Sequence, residues 1–300
     1  MACPSYSSLE DAINGAFGED VSSREDLNIS GSRFNSTRVL TLTSGRKVFL
    51  KVNTIENRAV FDAEEEGIHA IANTGAIAVP GLYCKGEDPS RGISFLMTEF
   101  IEQGPATKDA LMQMGSEFAL MHKAETKSFV KGGKYGFIHN NFIGASKQIN
   151  TPHDSWVEFF RKCRLEPQLR IAMRDLGSEH IKRAHRLLDK LDQYLYEPEY
   201  PSLLHGDMWG GNYVIDKSGR AVLIDPAAYV GCAEADLAMT YMFSPMPSSF
   251  YKGYREVIPE DDGFRDRIDL YNLYHILNHH NLFGGYYLSA AVRIITRYAG

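Results

Sequence analysis

The sequence predicts an α+β chain in two lobes, a small β-rich one followed by a larger, mainly α-helical one. Three observations carry this. Short β-branched and apolar runs crowd the first hundred residues, and apolar residues at three- and four-residue intervals dominate from about residue 108. Between them stands a turn-forming stretch, Glu102-Gln103-Gly104-Pro105. The lobes are accordingly read as 1–103 and 104–300.

Taken in order, Thr37 to Thr43 (TRVLTLT) and Lys47 to Val52 (KVFLKV) flank Ser44-Gly45-Arg46 and read as a hairpin, which puts Lys51 on a strand. From Asn57 to Asn73, Phe61, Ile68 and Ile71 recur with helical spacing before Gly75 and Pro80. A third strand is expected at Ile93 to Phe100. Lys108 to Ala124, Ser155 to Leu176 and Ser178 to Leu195 each read as one helix. Tyr213-Val214-Ile215 and Ala221 to Ile224 interrupt that texture as two short strands joined by Asp216-Lys217-Ser218-Gly219-Arg220. Phe250 to Tyr298 returns to helix.

Composition narrows the function classes. The chain has 300 residues, 44% of them hydrophobic, enough to build a sizeable core. Thirty-two Lys and Arg against 38 Asp and Glu give a net charge of −6, which argues against a nucleic-acid or anionic-membrane partner. Cys3, Cys84, Cys163 and Cys232 stand far apart with no CxxC pair, as expected of thiols in a reducing, cytoplasmic compartment. No run reaches the roughly 18 apolar residues that span a bilayer.

The segment Leu204-His-Gly-Asp-Met-Trp-Gly-Gly-Asn212 carries the chemistry. If the following hairpin closes with Ile215 opposite Ala221, pairing sets Val214 opposite Val222, Tyr213 opposite Leu223 and Asn212 opposite Ile224, so Asp225 falls beside Asn212. Two oxygen ligands at the open end of a hairpin, with Asp207 on the loop leading in, can hold Mg²⁺ on ATP phosphates beside a base for an incoming hydroxyl. Singly, Asp207 and Asp225 would pass for turn residues and Asn212 for a cap. Together, the D-x-x-x-x-N spacing and the second Asp 18 residues on match the protein-kinase arrangement.

That arrangement requires a strand lysine on the α- and β-phosphates and a helix carboxylate to orient it. Lys51 meets the first requirement. Glu64 shares the Phe61, Ile68 and Ile71 stripe and meets the second, with Glu65 and Glu66 as neighbouring alternatives. Ile29 to Ser36 (ISGSRFNS) precedes the hairpin that delivers Lys51. Its single glycine, Gly31, and the adjacent Ser32 offer backbone N–H groups for phosphate, although no GxGxxG or Walker lysine pattern is present. Met97 to Ile101, with Glu99 and Ile101 within it, follows the third strand and would supply backbone groups for adenine.

The blocks LLHGDMWGGNYVID, LIDPAAYVGCAEADLAMTYMF and YNLYHILNHHNLFGGYY resemble the fructosamine kinase (ketosamine 3-kinase) family, of aminoglycoside-phosphotransferase and protein-kinase-like fold. VFLKVN with FDAEEEGIHAI, YGFIHNNFIGASKQIN and SWVEFFRKCRLEPQLRIA extend the likeness over nearly the whole chain. The resemblance implies ATP-dependent phosphorylation of the 3-hydroxyl of a ketosamine, on a protein lysine or a free amine. The labile 3-phosphate would then break down and release the amine, which is deglycation. It further implies Asp207 as base, Asn212 and Asp225 on Mg²⁺, Lys51 and Glu64 on ATP, and Trp209 and His279 as substrate contacts. An indole two residues from the base suits the C–H face of a sugar. His275 and His279 stand at i and i+4, but Ile276 follows where HExxH places its glutamate. Rival readings are a kinase of another small hydroxyl compound, aminoglycoside or choline, and an inactive kinase-shaped binding protein.

Overall fold

The computed structural model describes residues 3–27 and 36–300. The expected phosphate loop, with Gly31 and Ser32, lies outside the described residues. The chain opens with β1 (Ser5–Tyr6) and α1 (Leu9–Phe17), capped by Ser8 Oγ, which accepts from the Asp11 N–H. Next come β2 (Ser36–Thr41), β3 (Lys47–Thr54), α2 (Ala59–Thr74), β4 (Leu82–Asp88) and β5 (Ile93–Glu99). The strands form one five-stranded sheet in the order β1-β4-β5-β3-β2, with β1 parallel to β4 and the other pairs antiparallel.

Strand parity decides what each side of this sheet presents. In β3, Val48, Leu50 and Val52 are buried in a small core with Leu9, Ala12 and Ile13 of α1. Lys51, on the alternate positions, therefore faces the other way, with Thr37 opposite it in β2 and Leu96 in β5.

The larger lobe follows: α3 (Lys108–His122), β6 (Asn141–Ile143) and β7 (Ser146–Gln148), α4 (Trp156–Phe159), a π-helical turn (Phe160–Leu165), α5 (Glu166–Ala172) and α6 (Ser178–Asp189). Then come β8 (Ser202–Leu204), β9 (Tyr213–Ile215), β10 (Ala221–Leu223), β11 (Tyr229–Gly231), α7 (Ala233–Met239), α8 (Ser248–Val257), α9 (Phe264–Phe283) and α10 (Tyr287–Ala299). Its core centres on Trp156, packed among Tyr135, Phe159, Phe160 and Tyr271. Ala70 and Ile71 of α2, with Ile77, join that core and dock the sheet lobe against it. Among the described residues, no helix is long and apolar enough to cross a membrane.

The single helix expected over Ser155 to Leu176 is three pieces. Pro167 has no N–H for the carbonyl four residues back, that of Cys163. The freed carbonyl accepts instead from Arg164 Nη1 at 3.0 Å, and the chain takes a wider π turn there. The helix expected to reach Leu195 ends at Asp189, with a separate 3₁₀ turn over Leu191–Gln193.

Helices α3 and α8 pack at backbone contact. A Cβ on Gly253 would stand 1.8 Å from the Met112 carbonyl oxygen, and one on Gly115 2.0 Å from that of Phe250. Gly253→Ala is expected to cost about 1–3 kcal/mol by overpacking. Denaturant melts should show this as a lower midpoint at unchanged slope; an unaltered midpoint would contradict the close approach.

Candidate active site

Strands β9 and β10 pair with Ile215 opposite Ala221, Val214 opposite Val222 and Tyr213 opposite Leu223, in the register read from the sequence. One step beyond, the Ile224 N–H donates to the Asn212 carbonyl at 3.0 Å. The hairpin is seated by two contacts with the first lobe and the linker: Leu223 N–H donates to Ala78 O at 2.9 Å and Gly104 N–H to Ile215 O at 2.8 Å. Asp225 then departs with φ of 56°, the only left-handed non-glycine among the described residues. Aspartate tolerates that conformation better than most residues, and held strain of this kind gathers at functional sites. The turn aims the half-exposed Asp225 carboxylate back across the cleft at Lys51, with which it forms an ion pair.

Lys51 is gripped from a second side by Glu64 of α2, so its ammonium lies between two carboxylates. Burial alone would lower its pKa, but Glu64 and Asp225 outweigh burial and hold it above the ordinary lysine value. Of the three adjacent glutamates, Glu64 is the one on Lys51. Glu65 is turned to Lys85 at 2.8 Å, and Glu66 to His139 at 2.7 Å.

Asp207 sits on the loop between β8 and β9. Asn212 Nδ2 donates to its Oδ2 at 3.0 Å and to its main-chain carbonyl at 2.8 Å, closing the five-residue loop on itself. Burial raises the Asp207 carboxyl; the Asn212 hydrogen bond pulls it back, Asp225 and Asp236 push it up, and it stands at about 7. A carboxyl so placed can accept a proton near neutral pH.

The loop is held from below by Asp236 of α7, a residue the sequence reading passed over. Its carboxylate accepts from the His205 N–H at 2.6 Å and the Gly206 N–H at 2.8 Å, and lies 3.3 Å from Nε2 of His122. Burial would raise this carboxyl, but His122, His205 and the Gly206 N–H hold it below the usual carboxylate range. A signal existed: an aspartate inside the apolar run Ala233 to Met239 must be paired if buried. Burial keeps His205 neutral, with Nε2–H donating to Ile224 O at 2.9 Å and Nδ1 accepting from the Asp207 N–H at 3.3 Å. At Gly206, φ is 81° and a Cβ would meet Ala227 O at 2.1 Å, so only glycine lets the two loops approach.

Two cavities meet at Asp207 and Trp209. The first, about 310 Å³, is lined by Thr37, Lys51, Glu64, Asn141, Asn212 and Asp225, among others. The second, about 390 Å³, is bounded by Phe243, His279, Phe283 and Tyr287. The structure thus brings Lys51, Glu64, Asp207, Asn212, Asp225 and Trp209 to one cleft, with His279 on the far side of Asp207. It does not bring Glu99 or Ile101 to the lining of the first cavity. Glu99 ends β5, and its N–H is engaged with Gly81 O at 2.7 Å, so that donor is not free for a nucleotide base. Chemically, the first cavity offers a clamped cation and hard oxygen donors of the kind that handle phosphates. The second offers aromatic faces beside a proton acceptor.

The sequence model described as fructosamine kinase matches residues 5–299. A chloroplastic protein-ribulosamine 3-kinase of Oryza sativa is 38% identical over 312 residues, covering 99% of this chain and 89% of the relative. A candidate fructosamine-3-kinase of Thermobifida fusca, solved by crystallography, superposes with a TM-score of 0.81 at 29% identity, covering 98% of this chain and 99% of that one. More distantly, an amicoumacin kinase solved with AMP-PNP, Ca²⁺ and Ami shares the fold, with a TM-score of 0.60 at 16% identity and coverage of 97% and 93%.

Proposed function

The chain belongs to the fructosamine kinase family, and we propose that its cleft transfers the γ-phosphoryl group of ATP to the 3-hydroxyl of a ketosamine, a ribulose or fructose joined to a protein lysine or a small amine. The observation that carries the reading is the meeting of the two cavities at Asp207: phosphate-handling groups on one side, aromatic faces suited to a sugar on the other. In this reading residues 1–103 form the ATP-binding lobe and 104–300 the catalytic and substrate lobe. Gly31, Ser32, Glu99 and Ile101 keep their sequence-based roles around the nucleotide, with Glu99 acting through groups other than its N–H. The four cysteines are unpaired thiols, which supports a reducing compartment such as the cytoplasm.

Asp207 accepts the proton of the 3-hydroxyl as its oxygen bonds to the γ-phosphorus and the bond to the β–γ bridging oxygen breaks, leaving ADP. Asn212 Nδ2 fixes which Asp207 oxygen is free to do so, since Oδ2 already accepts from it. Lys51, kept cationic by Glu64, meets the α- and β-phosphates. Asn212 Oδ1 points away from Asp207 because Nδ2 is the atom turned toward it, and Asp225 offers a second oxygen. Two such hard donors, with phosphate oxygens and water, fit Mg²⁺. The metal would neutralise charge building on the β- and γ-oxygens. The 3-phosphate ketosamine then loses phosphate and hydrolyses to free the amine.

The direct test is an acceptor panel with Mg-ATP: ribulose-lysine, fructose-lysine, choline and an aminoglycoside. Turnover on the ketosamines supports the proposal; turnover confined to choline or the aminoglycoside would overturn the substrate and keep the phosphoryl-transfer chemistry. Lys51→Met should lower kcat/KM by about 10²- to 10³-fold, the range seen when one preorganised donor to developing charge is lost. Near-wild-type turnover in that variant would remove Lys51 from the site.

A further inference from the structure

The second cavity carries more chemistry than a sugar needs. Its wall is an unbroken chain of rings: Trp209 meets Phe243 edge-on at 5.5 Å between centroids, Phe243 meets His279 at 5.2 Å, and His279 meets Tyr287 at 5.1 Å and Phe283 at 5.7 Å. Several of these rings are open to solvent: Phe243 is 43% exposed and Phe283 72%, a large apolar area to leave uncovered without use.

The polar groups on this wall are few. Asp207 is the only carboxylate among the described residues lining it. The Asn278 carboxamide is engaged, Oδ1 accepting from Gln168 Nε2 at 3.2 Å and Nδ2 facing Ile143 O. His279 Nδ1 lies 2.8 Å from the carbonyl of His275, one helical turn back, and donates to it; Nε2 is then the lone-pair nitrogen of that ring.

A ketosamine joins its sugar to a secondary amine that carries a proton at neutral pH, as alkyl amines do. The amine nitrogen and the 3-oxygen are separated by four single bonds, roughly 4–5 Å. With the 3-hydroxyl at Asp207, the charge therefore falls within this ring-lined cavity, whose wall carries no second carboxylate among the described residues. Ring faces attract such a cation. Resting on the ketosamine reading above, we infer that Phe243 and Tyr287, with Nε2 of His279, receive the protonated amine of the acceptor and so select amine-bearing sugars over the same sugars without the charge. The chain that carries the amine leaves over Phe283 and Tyr286, at the open rim.

The test uses the intact enzyme, Mg-ATP and two acceptors: the ribulose adduct of an Nα-blocked lysine, and a 1-O-alkyl ribulose, in which an ether oxygen replaces the ammonium. Wild type should favour the ammonium acceptor in kcat/KM by about 2- to 30-fold. Phe243→Leu and Tyr287→Leu should lose more on the ammonium acceptor than on the ether and draw that ratio toward one, whereas Tyr287→Phe, which keeps the ring, should preserve it. Equal losses on both acceptors, or a wild-type ratio near one, would overturn the inference while leaving the ketosamine reading intact. Wild type silent on both acceptors but active on another hydroxyl compound would overturn that reading and the inference with it.

Discussion

Asp207→Asn should lower kcat by about 10²- to 10⁴-fold, the span over which removal of a general base is felt, with no loss of thermal stability. The two parts of this result come from one geometry. Among the described residues, Asp207 is the one acid-base group that lines both the nucleotide-side and the acceptor-side cavity, which places it where the hydroxyl proton has to go. Its carboxyl is also buried and faces the charges of Asp225 and Asp236, which is why it stands at about 7. Such a group is held in place at a cost to the fold, and an uncharged amide of the same shape relieves it. Steady-state kinetics and a thermal melt on the same preparation check both. Retained turnover would remove Asp207 from the chemistry; a large drop in Tm would make it a structural residue instead.

Asp236→Ala should do the opposite and damage stability first. Its carboxylate satisfies the buried N–H groups of His205 and Gly206 and faces His122. Removing one partner of a buried charged cluster typically costs about 3–5 kcal/mol, here a fall in Tm of roughly 5–15 °C. Activity should fall as well, because the two N–H groups belong to the turn that aims Asp207.

The pH dependence has a defined sign. Asp236 is held below the usual carboxylate range in the folded protein, so its contribution is fully present above the unfolded value of about 4 and is lost as pH falls through the lower, folded value. The stability gap between wild type and Asp236→Asn should therefore narrow as the pH is lowered from about 4. A gap that stays constant down the acid limb would show that Asp236 acts through packing alone.

The parts of this site that the sequence made legible are those fixed by short-range periodicity. The register of the hairpin after Asn212 followed from turn chemistry and pairing, and the structure has that register, with the Ile224 N–H on the Asn212 carbonyl one step beyond it. Lys51 was legible because a lysine on the odd positions of an apolar strand must face away from the core. Glu64 was separable from Glu65 only by helical phase, and Lys85 shows why the choice was hard. Its ion pair with Glu65 buries that neighbour too, on the other flank of α2.

What remained hidden depends on distant partners. Strand β4 reads as polar, Lys85 to Asp88, yet it lies inside the sheet. Lys85 is paired with α2, and Asp88 accepts from the Leu9 N–H at 3.2 Å. Asp236 reaches the turn that carries Asp207 through the N–H groups of His205 and Gly206, 31 and 30 residues away in sequence. The break in the helix at Pro167 was written in the sequence, but the Arg164 side chain that accepts the consequence was not. The ring wall joins Trp209, Phe243 and Tyr287 from three separate segments, and no local pattern announces it.

The central claim is that this cleft phosphorylates the 3-hydroxyl of a ketosamine, and phosphorus NMR of the reaction with Mg-ATP and ribulose-lysine tests it most directly. One phosphomonoester signal coupled to the proton on carbon 3, decaying into inorganic phosphate as free lysine appears and absent with Asp207→Asn, is the expected result. A stable phosphate on another hydroxyl, or ATP consumed with no sugar phosphate formed, would contradict it.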